Sequence, residues 1–199
     1  MIYKINKDNI VFIFIELSSI INIGDSVIDK FKPDMYQKSI YDLDYKKLNS
    51  MGIKCLLFDL DNTIIPNDAI KPSKKIIDLI EMLKKMGFRV IIFSNTSKKR
   101  LAPFKDRLEV DCSAKSKKPF KKKFNKVIKE YRYSENEIAL IGDQLLTDIL
   151  GGNRVGIYTI LVDRINGKER GFTKINRLVE KILRVRLKKL GFVKGTYYE

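Results

Sequence analysis

Cys55-Leu56-Leu57-Phe58-Asp59-Leu60-Asp61-Asn62-Thr63 is the stretch on which the reading of this 199-residue chain turns. Its apolar half, with Ile53 just ahead of it, is the short continuous run expected of a parallel strand buried on both faces. Two carboxylates, Asp59 and Asp61, stand where that strand should end. In open α/β sheets, ligands gather at the carboxyl ends of the strands. The two acids share one side if the strand runs on, and both can turn to one ligand if it breaks into a loop. One can then act as nucleophile while the other moves protons, because environment separates such roles. Taken alone, the stretch also reads as a polar loop with two solvated aspartates, so the rest of the chain must arbitrate.

Downstream, the chain turns at Pro66 and again at Pro72-Ser73, which is a helix start. Ile76, Ile77, Ile80, Leu83 and Met86 then keep helical spacing up to Gly87. A second strand, 90–93, runs into Ser94-Asn95-Thr96-Ser97. A helix carrying Leu101 and Phe104 follows, with Pro103 expected in or near its first turn. A third strand, 110–114, leads to Lys115, Lys117, Lys118 and Pro119, and to a helix ending near Tyr131. A fourth strand, 138–141, runs into Gly142-Asp143-Gln144-Leu145-Leu146-Thr147-Asp148. Gly151, Gly152 and Gly156 read as a glycine-rich turn before a fifth strand, 158–162. This alternation predicts a doubly wound, Rossmann-like parallel sheet of about five strands with helices on both faces.

The flanks are less regular. Residues 9–23 are rich in Ile, Val and Phe but interrupted by Glu16, Ser18 and Ser19, and short of the ~20 apolar residues a spanning helix needs. They read either as a helix packed on the domain or as one lying in a membrane interface. A second D-x-D pair, Asp42 and Asp44, has no apolar strand before it, so Asp44 is expected to cap a short helix. From Thr173 to Leu190 runs a basic amphipathic helix with a stripe of Ile175, Leu178, Val179, Ile182 and Leu183. The expected division is an N-terminal extension (1–50), a core (51–165) and a basic helix and tail (166–199).

Composition narrows the chemistry. The net charge of +16 implies a surface drawn to phosphates, whether on nucleic acid, anionic membrane or small substrates. With no histidine, general-base and metal-ligand work falls to carboxylates, lysines and hydroxyls. Cys55 and Cys112 read as small hydrophobes that need no disulfide, which suits a reducing cytoplasm.

Each strand end then offers one part of a phosphoryl-transfer apparatus. The first gives Asp59 and Asp61. The second gives the Ser94 hydroxyl, with backbone N–H groups beside it, at Asn95 among others. Beyond the third comes Lys118, a compact cation next to Pro119, with Lys115 and Lys117 as rivals. The fourth gives Asp143 and Asp148, acids suited to an oxygen-ligated Mg²⁺. A phosphate dianion repels an attacking carboxylate, so a metal and a lysine are physically needed.

The set F-D-L-D-N-T, F-S-N-T, K-P and G-D-Q-L-L-T-D resembles the four motifs of the haloacid dehalogenase (HAD) phosphatases, over roughly residues 32–163. K-P-D at Pro33 and the long run from Gly142 to Val162 are similar to the YqeG-like branch, related to phosphatidylglycerophosphate (PGP) phosphatases. That resemblance implies a subclass III, capless core in which Asp59 becomes a phosphoaspartate. It implies that Asp61 protonates the leaving oxygen and then activates water, and that Ser94, Asn95 and Lys118 hold the phosphoryl group. Mg²⁺ would be held by Asp59, the backbone carbonyl of Asp61 and Asp143, with Asp148 either on the ion itself or one layer behind it. The implied substrate is PGP, an anionic lipid, with peripheral contact at the inner face of the membrane. Alternatives are a phosphatase for nucleic-acid ends or small metabolites, and a basic RNA- or ribosome-binding protein on the same scaffold.

Overall fold

The computed structural model describes residues 28–165 and 173–195, with the side chains of 173–178 left aside. Its strands are β1 (Met35–Gln37), β2 (Cys55–Phe58), β3 (Arg89–Phe93), β4 (Asp111–Ser113), β5 (Ile138–Gly142) and β6 (Tyr158–Val162). Its helices are α1 (Tyr45–Ser50), α2 (Lys74–Lys85), α3 (Lys98–Leu108), α4 (Lys121–Tyr131), α5 (Leu150–Val155) and α6 (Thr173–Lys189). All strand pairs are parallel, in the order β1-β6-β5-β2-β3-β4. The chain moves from β2 outward through β3 and β4, then returns to the other side of β2 with β5. The crevice where the winding reverses lies beside β2, the standard place for a ligand in such sheets.

The apolar run that opened the sequence reading is the centre of the sheet, and all four β2 residues are buried. Alternate strand residues serve opposite faces. Leu56, Phe58, Val90, Ile92, Ala139 and Ile141 pack with side chains of α1, α2 and α3. Cys55, Leu57, Ile91, Phe93 and Leu140 pack instead on Phe124 and Val127 of α4. Each such fully buried Leu, Ile or Phe contributes ~1.5–3 kcal/mol. Ser73 and Ser97 cap α2 and α3 by accepting from the N–H groups of Ile76 and Arg100. As expected, Asp44 caps α1, accepting from Lys47 N at 3.0 Å.

Four expectations need correction. The sheet has six strands rather than about five: β1 lies inside the stretch read as an extension and pairs with β6. Three residues are too few to show a period, so tertiary bonds define it. Asp34 accepts from the Thr159 N–H (2.7 Å) and hydroxyl (3.0 Å), and Asn153 donates to the carbonyls of Lys30 (2.9 Å) and Lys32 (2.8 Å). Pro103 sits in the second turn of α3, because the Ser97 cap starts the helix five residues before it. Gly151 and Gly152 belong to α5 rather than to a turn. A Cβ on Gly152 would lie 2.4 Å from Thr159 Cγ2, and one on Gly151 2.9 Å from the Phe124 ring, so these glycines serve close packing. Ile182 is 42% exposed, whereas Val179, Leu183 and Leu187 are the buried face of α6.

That buried face closes a third cluster with Phe31, Tyr36, Leu145 and Leu161, and Tyr36 stacks on Phe192 at 4.9 Å. Residues 9–23 lie outside the described residues, as do the side chains of Ile175 and Leu178. Among the described residues, no helix is long and apolar enough to cross a membrane.

Candidate active site

Four strand ends converge beside β2. Asp59 follows β2 directly, and its N–H still donates to Ile141 O of β5 at 2.9 Å, so the carboxylate leaves the sheet from a fixed backbone. Asn62 then takes a left-handed φ of 67°, which turns the chain away just past Asp61. Ser94, buried at the end of β3, accepts from Thr96 N through its hydroxyl at 3.3 Å.

The choice among three lysines falls to conformation. Lys115 and Lys117 have left-handed φ values of 49° and 54° and are exposed, whereas Lys118, before a cis peptide bond to Pro119, is buried. The Asn95 side chain brackets it, accepting from Lys118 N at 2.8 Å and donating to Lys118 O at 3.2 Å. Both polar ends of that amide are thus engaged, which leaves the Asn95 main chain to face a ligand. Lys118 Nζ donates to Asp59 Oδ1 at 2.6 Å and lies 2.6 Å from Asp148 Oδ1. The second contact is a buried ion pair, so one ammonium bridges two carboxylates.

Asp143 follows Gly142 at the end of β5, and Asp148 returns to it through a π-helical turn, Leu145–Ile149. Asp148 Oδ2 accepts from Gln144 N at 3.1 Å. Asp59, Asp143 and Asp148 each bring a carboxylate oxygen within 4.8 Å of the others. Asp61 stands apart from this trio. Its Oδ1 accepts from Arg100 Nη2 at 2.9 Å.

Arg100 escaped the sequence reading because it closes a Lys98-Lys99-Arg100 run that resembles any solvated basic turn. Its position three residues after the Ser97 cap is the one available signal, since it turns the side chain back toward the strand ends. The guanidinium also donates to Ala69 O and, at 3.1 Å, to Asn67 O, so it clasps the loop after Asp61. Glu180 and Arg184 of α6 escaped as well. Glu180 accepts from Leu146 N at 3.3 Å, and Arg184 donates to Asp143 O at 3.3 Å, tying the last helix to the acidic loop.

Electrostatics follow from burial. Burial pushes the Asp59 carboxyl up to about 6, against the pull of Lys118 and with a further push from Asp148. Asp143 is held well above the ordinary carboxyl range by burial, then by Asp148 and Asp59. Burial also raises Glu180 to about 7, with Arg184 opposing. For Lys118, burial opposes the charge, yet Asp148 and Asp59 outweigh it and hold the ammonium above its usual value. Three acids against one lysine leave a surplus of negative charge in a dry place. Oxygens that share one hard divalent ion at ~2.0–2.6 Å lie within ~5 Å of each other, as this trio does. The residues present therefore fit a divalent cation.

Asp59, Asp61, Ser94, Asn95 and Lys118 line one cleft of 210 Å³, with Asn67, Thr96, Gln144 and Thr147 around them. That is below the ~300–1,000 Å³ of sites that enclose a whole ligand, and is room for a group of about phosphoryl size. Only α2 lies between Asp61 and β3, and only α3 and β4 between Asn95 and Lys118, so among the described residues no cap domain is inserted at either point. A larger groove of 1070 Å³, lined by Asp34, Ile53 and Tyr158, opens at the opposite ends of the strands and contains none of these side chains.

Residues 18–165 match the family described as mitochondrial PGP phosphatase. The Bacillus subtilis protein named "Probable phosphatase YqeG" is 35% identical over 163 residues, covering 82% of this chain and 95% of that protein. The phosphatidylglycerophosphate phosphatase 1 (chloroplastic/mitochondrial) of Arabidopsis thaliana is 26% identical over 168 residues, covering 79% of this chain and 48% of that longer protein. Among solved structures, the cobalt-bound deoxy-D-mannose-octulosonate 8-phosphate phosphatase of Haemophilus influenzae superposes with a TM-score of 0.46 at 15% identity, covering 69% of this chain and 92% of that one. From the match over 18–165 and the YqeG relative, the chain belongs to the PGP phosphatase family.

Proposed function

We propose that the chain removes the terminal phosphate of PGP, working through a phosphoaspartate on Asp59 with Mg²⁺ as cofactor. The observation that carries this reading is the approach of Lys118 Nζ to Asp59 Oδ1, 2.6 Å across 59 positions of sequence, on the floor of a phosphate-sized cleft. An Asp59 carboxylate oxygen attacks phosphorus, and the bond from phosphorus to the ester oxygen breaks. Asp61 gives its proton to the departing alkoxide, so a neutral alcohol leaves. Asp61 then takes a proton from water as that water attacks phosphorus, and the Asp59–phosphorus bond breaks to release phosphate. Lys118, the Ser94 hydroxyl and the N–H groups near Asn95 stabilise the charge on the transferring group. Asp59, Asp143 and Asp148 would hold the divalent cation, which when bound offsets the repulsion between carboxylate and phosphate dianion.

The lipid substrate is favoured by the names of the family and the plant relative, and by a cleft too small for more than the phosphoryl group. A second reading, a phosphatase for nucleic-acid ends or small metabolites, draws on the same cleft and the charge of +16. The test is Mg²⁺-dependent phosphate release across lipid, nucleotide and sugar phosphates. PGP should be the preferred substrate, and Asp59→Asn should abolish turnover. Faster release from nucleic-acid ends, or an active Asp59→Asn protein, would overturn the assignment.

A further inference from the structure

We propose that the rim of the cleft is a seat for an anionic bilayer, with Ile70 as its inserting side chain. This rests on the reading that the substrate phosphate is carried by a lipid. Ile70 is 74% exposed, the highest value among the large apolar side chains described. It stands on the loop between Pro66 and Pro72, and that loop is not free to hide it. Arg100 donates to the carbonyls of Asn67 and Ala69 and, with the same guanidinium, to Asp61 inside the cleft. The clasp fixes an aliphatic side chain in water beside the mouth of the site.

Around it lies a basic collar. Lys71 follows Ile70, Lys98 and Lys99 open the turn that carries Arg100, and Lys115 and Lys117 flank the approach to Lys118; all five are exposed. Lys115 N donates to Thr96 O at 2.8 Å, which ties that end of the collar to the wall of the cleft. Across 67–71, 95–99 and 115–117 the sequence has one acid, Asp68. A cation ring about one aliphatic knob fits anionic headgroups over acyl chains. RNA fits it less well, because single strands favour aromatic faces for stacking and the collar offers none. With no cap domain among the described residues, the bilayer itself would shut water out of the cleft.

The test uses the full chain carrying Asp59→Asn, sedimented with vesicles of phosphatidylglycerol in phosphatidylcholine or of phosphatidylcholine alone. Binding should require the anionic lipid. Ile70→Asp should weaken it at least tenfold, and Lys98→Gln with Lys99→Gln by roughly 25-fold, at about fivefold per charge. In chains that keep Asp59, both changes should leave turnover of soluble p-nitrophenyl phosphate within about twofold, which also shows that the fold survives. Equal binding to both vesicles, an unchanged Ile70→Asp protein, or RNA bound more tightly than vesicles would overturn the seat. So would loss of binding in Val185→Asp alone, because that residue lies on the outer face of α6, 54% exposed. Vesicle binding without PGP turnover would keep the seat and remove the substrate. PGP turnover in detergent without vesicle binding would do the reverse.

Discussion

Gly142→Ala is the sharpest single perturbation of the acidic loop. A Cβ at this position would lie 2.3 Å from Asp148 Cγ and 2.4 Å from its Oδ2. Ordinary contact is ~3.5–4.0 Å, so Asp148 must retreat by roughly 1 Å or more. It has little room, being 1% exposed, with Oδ1 2.6 Å from Lys118 and Oδ2 bonded to Gln144 N. Overpacking of this kind costs ~1–3 kcal/mol. For a chain of this size that is a drop of roughly 2–12 °C in thermal midpoint, at ~2–4 °C per kcal/mol. Displacement by ~1 Å of a group that orients the reacting parts costs about 10²-fold in rate. Calorimetry and Mg²⁺-dependent phosphate release measure both. Repeating the substitution on Asp148→Gly isolates the cause, because the Cβ, Cγ and Oδ2 of Asp148 that the new methyl meets are then gone and most of the stability cost should vanish. A single variant within twofold of the parent rate, or an equal stability cost in both backgrounds, would refute the close approach of Gly142 to Asp148.

Two further outcomes follow from the same site. Arg100→Gln should loosen Asp61 and slow hydrolysis of alkyl phosphates by roughly 10–100-fold, since a positioned acid contributes ~10²–10⁴-fold. A nitrophenyl ester, whose leaving group needs no proton, should lose less than about fivefold; equal losses on both esters would mean that Arg100 does not act through Asp61. In the metal-free chain, Asp59 at about 6 and Asp143, held well above the ordinary carboxyl range by burial, retain protons that the unfolded chain, titrating near ~4, has lost. The folded state binds more protons in that window, so stability should fall as pH rises from about 4 through 6 and beyond. Added Mg²⁺ should restore it most at the higher pH, and a thermal midpoint unmoved between about pH 5 and 7 in chelator would contradict this.

Much of the architecture was readable because buried parallel strands announce themselves. The apolar runs of β2, β3, β5 and β6 are four or five residues long, and those of β2, β3 and β5 are each followed by the polar group that the sheet delivers to the cleft or its acidic trio. β1 left no such trace, since three residues at an edge draw their identity from Asp34, Asn153 and Thr159. Gly151 and Gly152 misled for a related reason: their lack of a side chain answers to Phe124 and Thr159, which are distant in sequence.

By itself the sequence determined five of the six strands, their parallel sense and the order in which acids, hydroxyl and lysine meet the strand ends, because periodicity and strand-end chemistry are local. The sequence favoured Lys118 through the adjacent Pro119, and only the tertiary structure showed how it is held, with left-handed backbone at Lys115 and Lys117 and the Asn95 bracket around Lys118. The tertiary structure also separated Asp61, held by Arg100, from the trio of Asp59, Asp143 and Asp148. Such choices depend on which groups share a few ångströms of dry space, and chain position alone does not encode that.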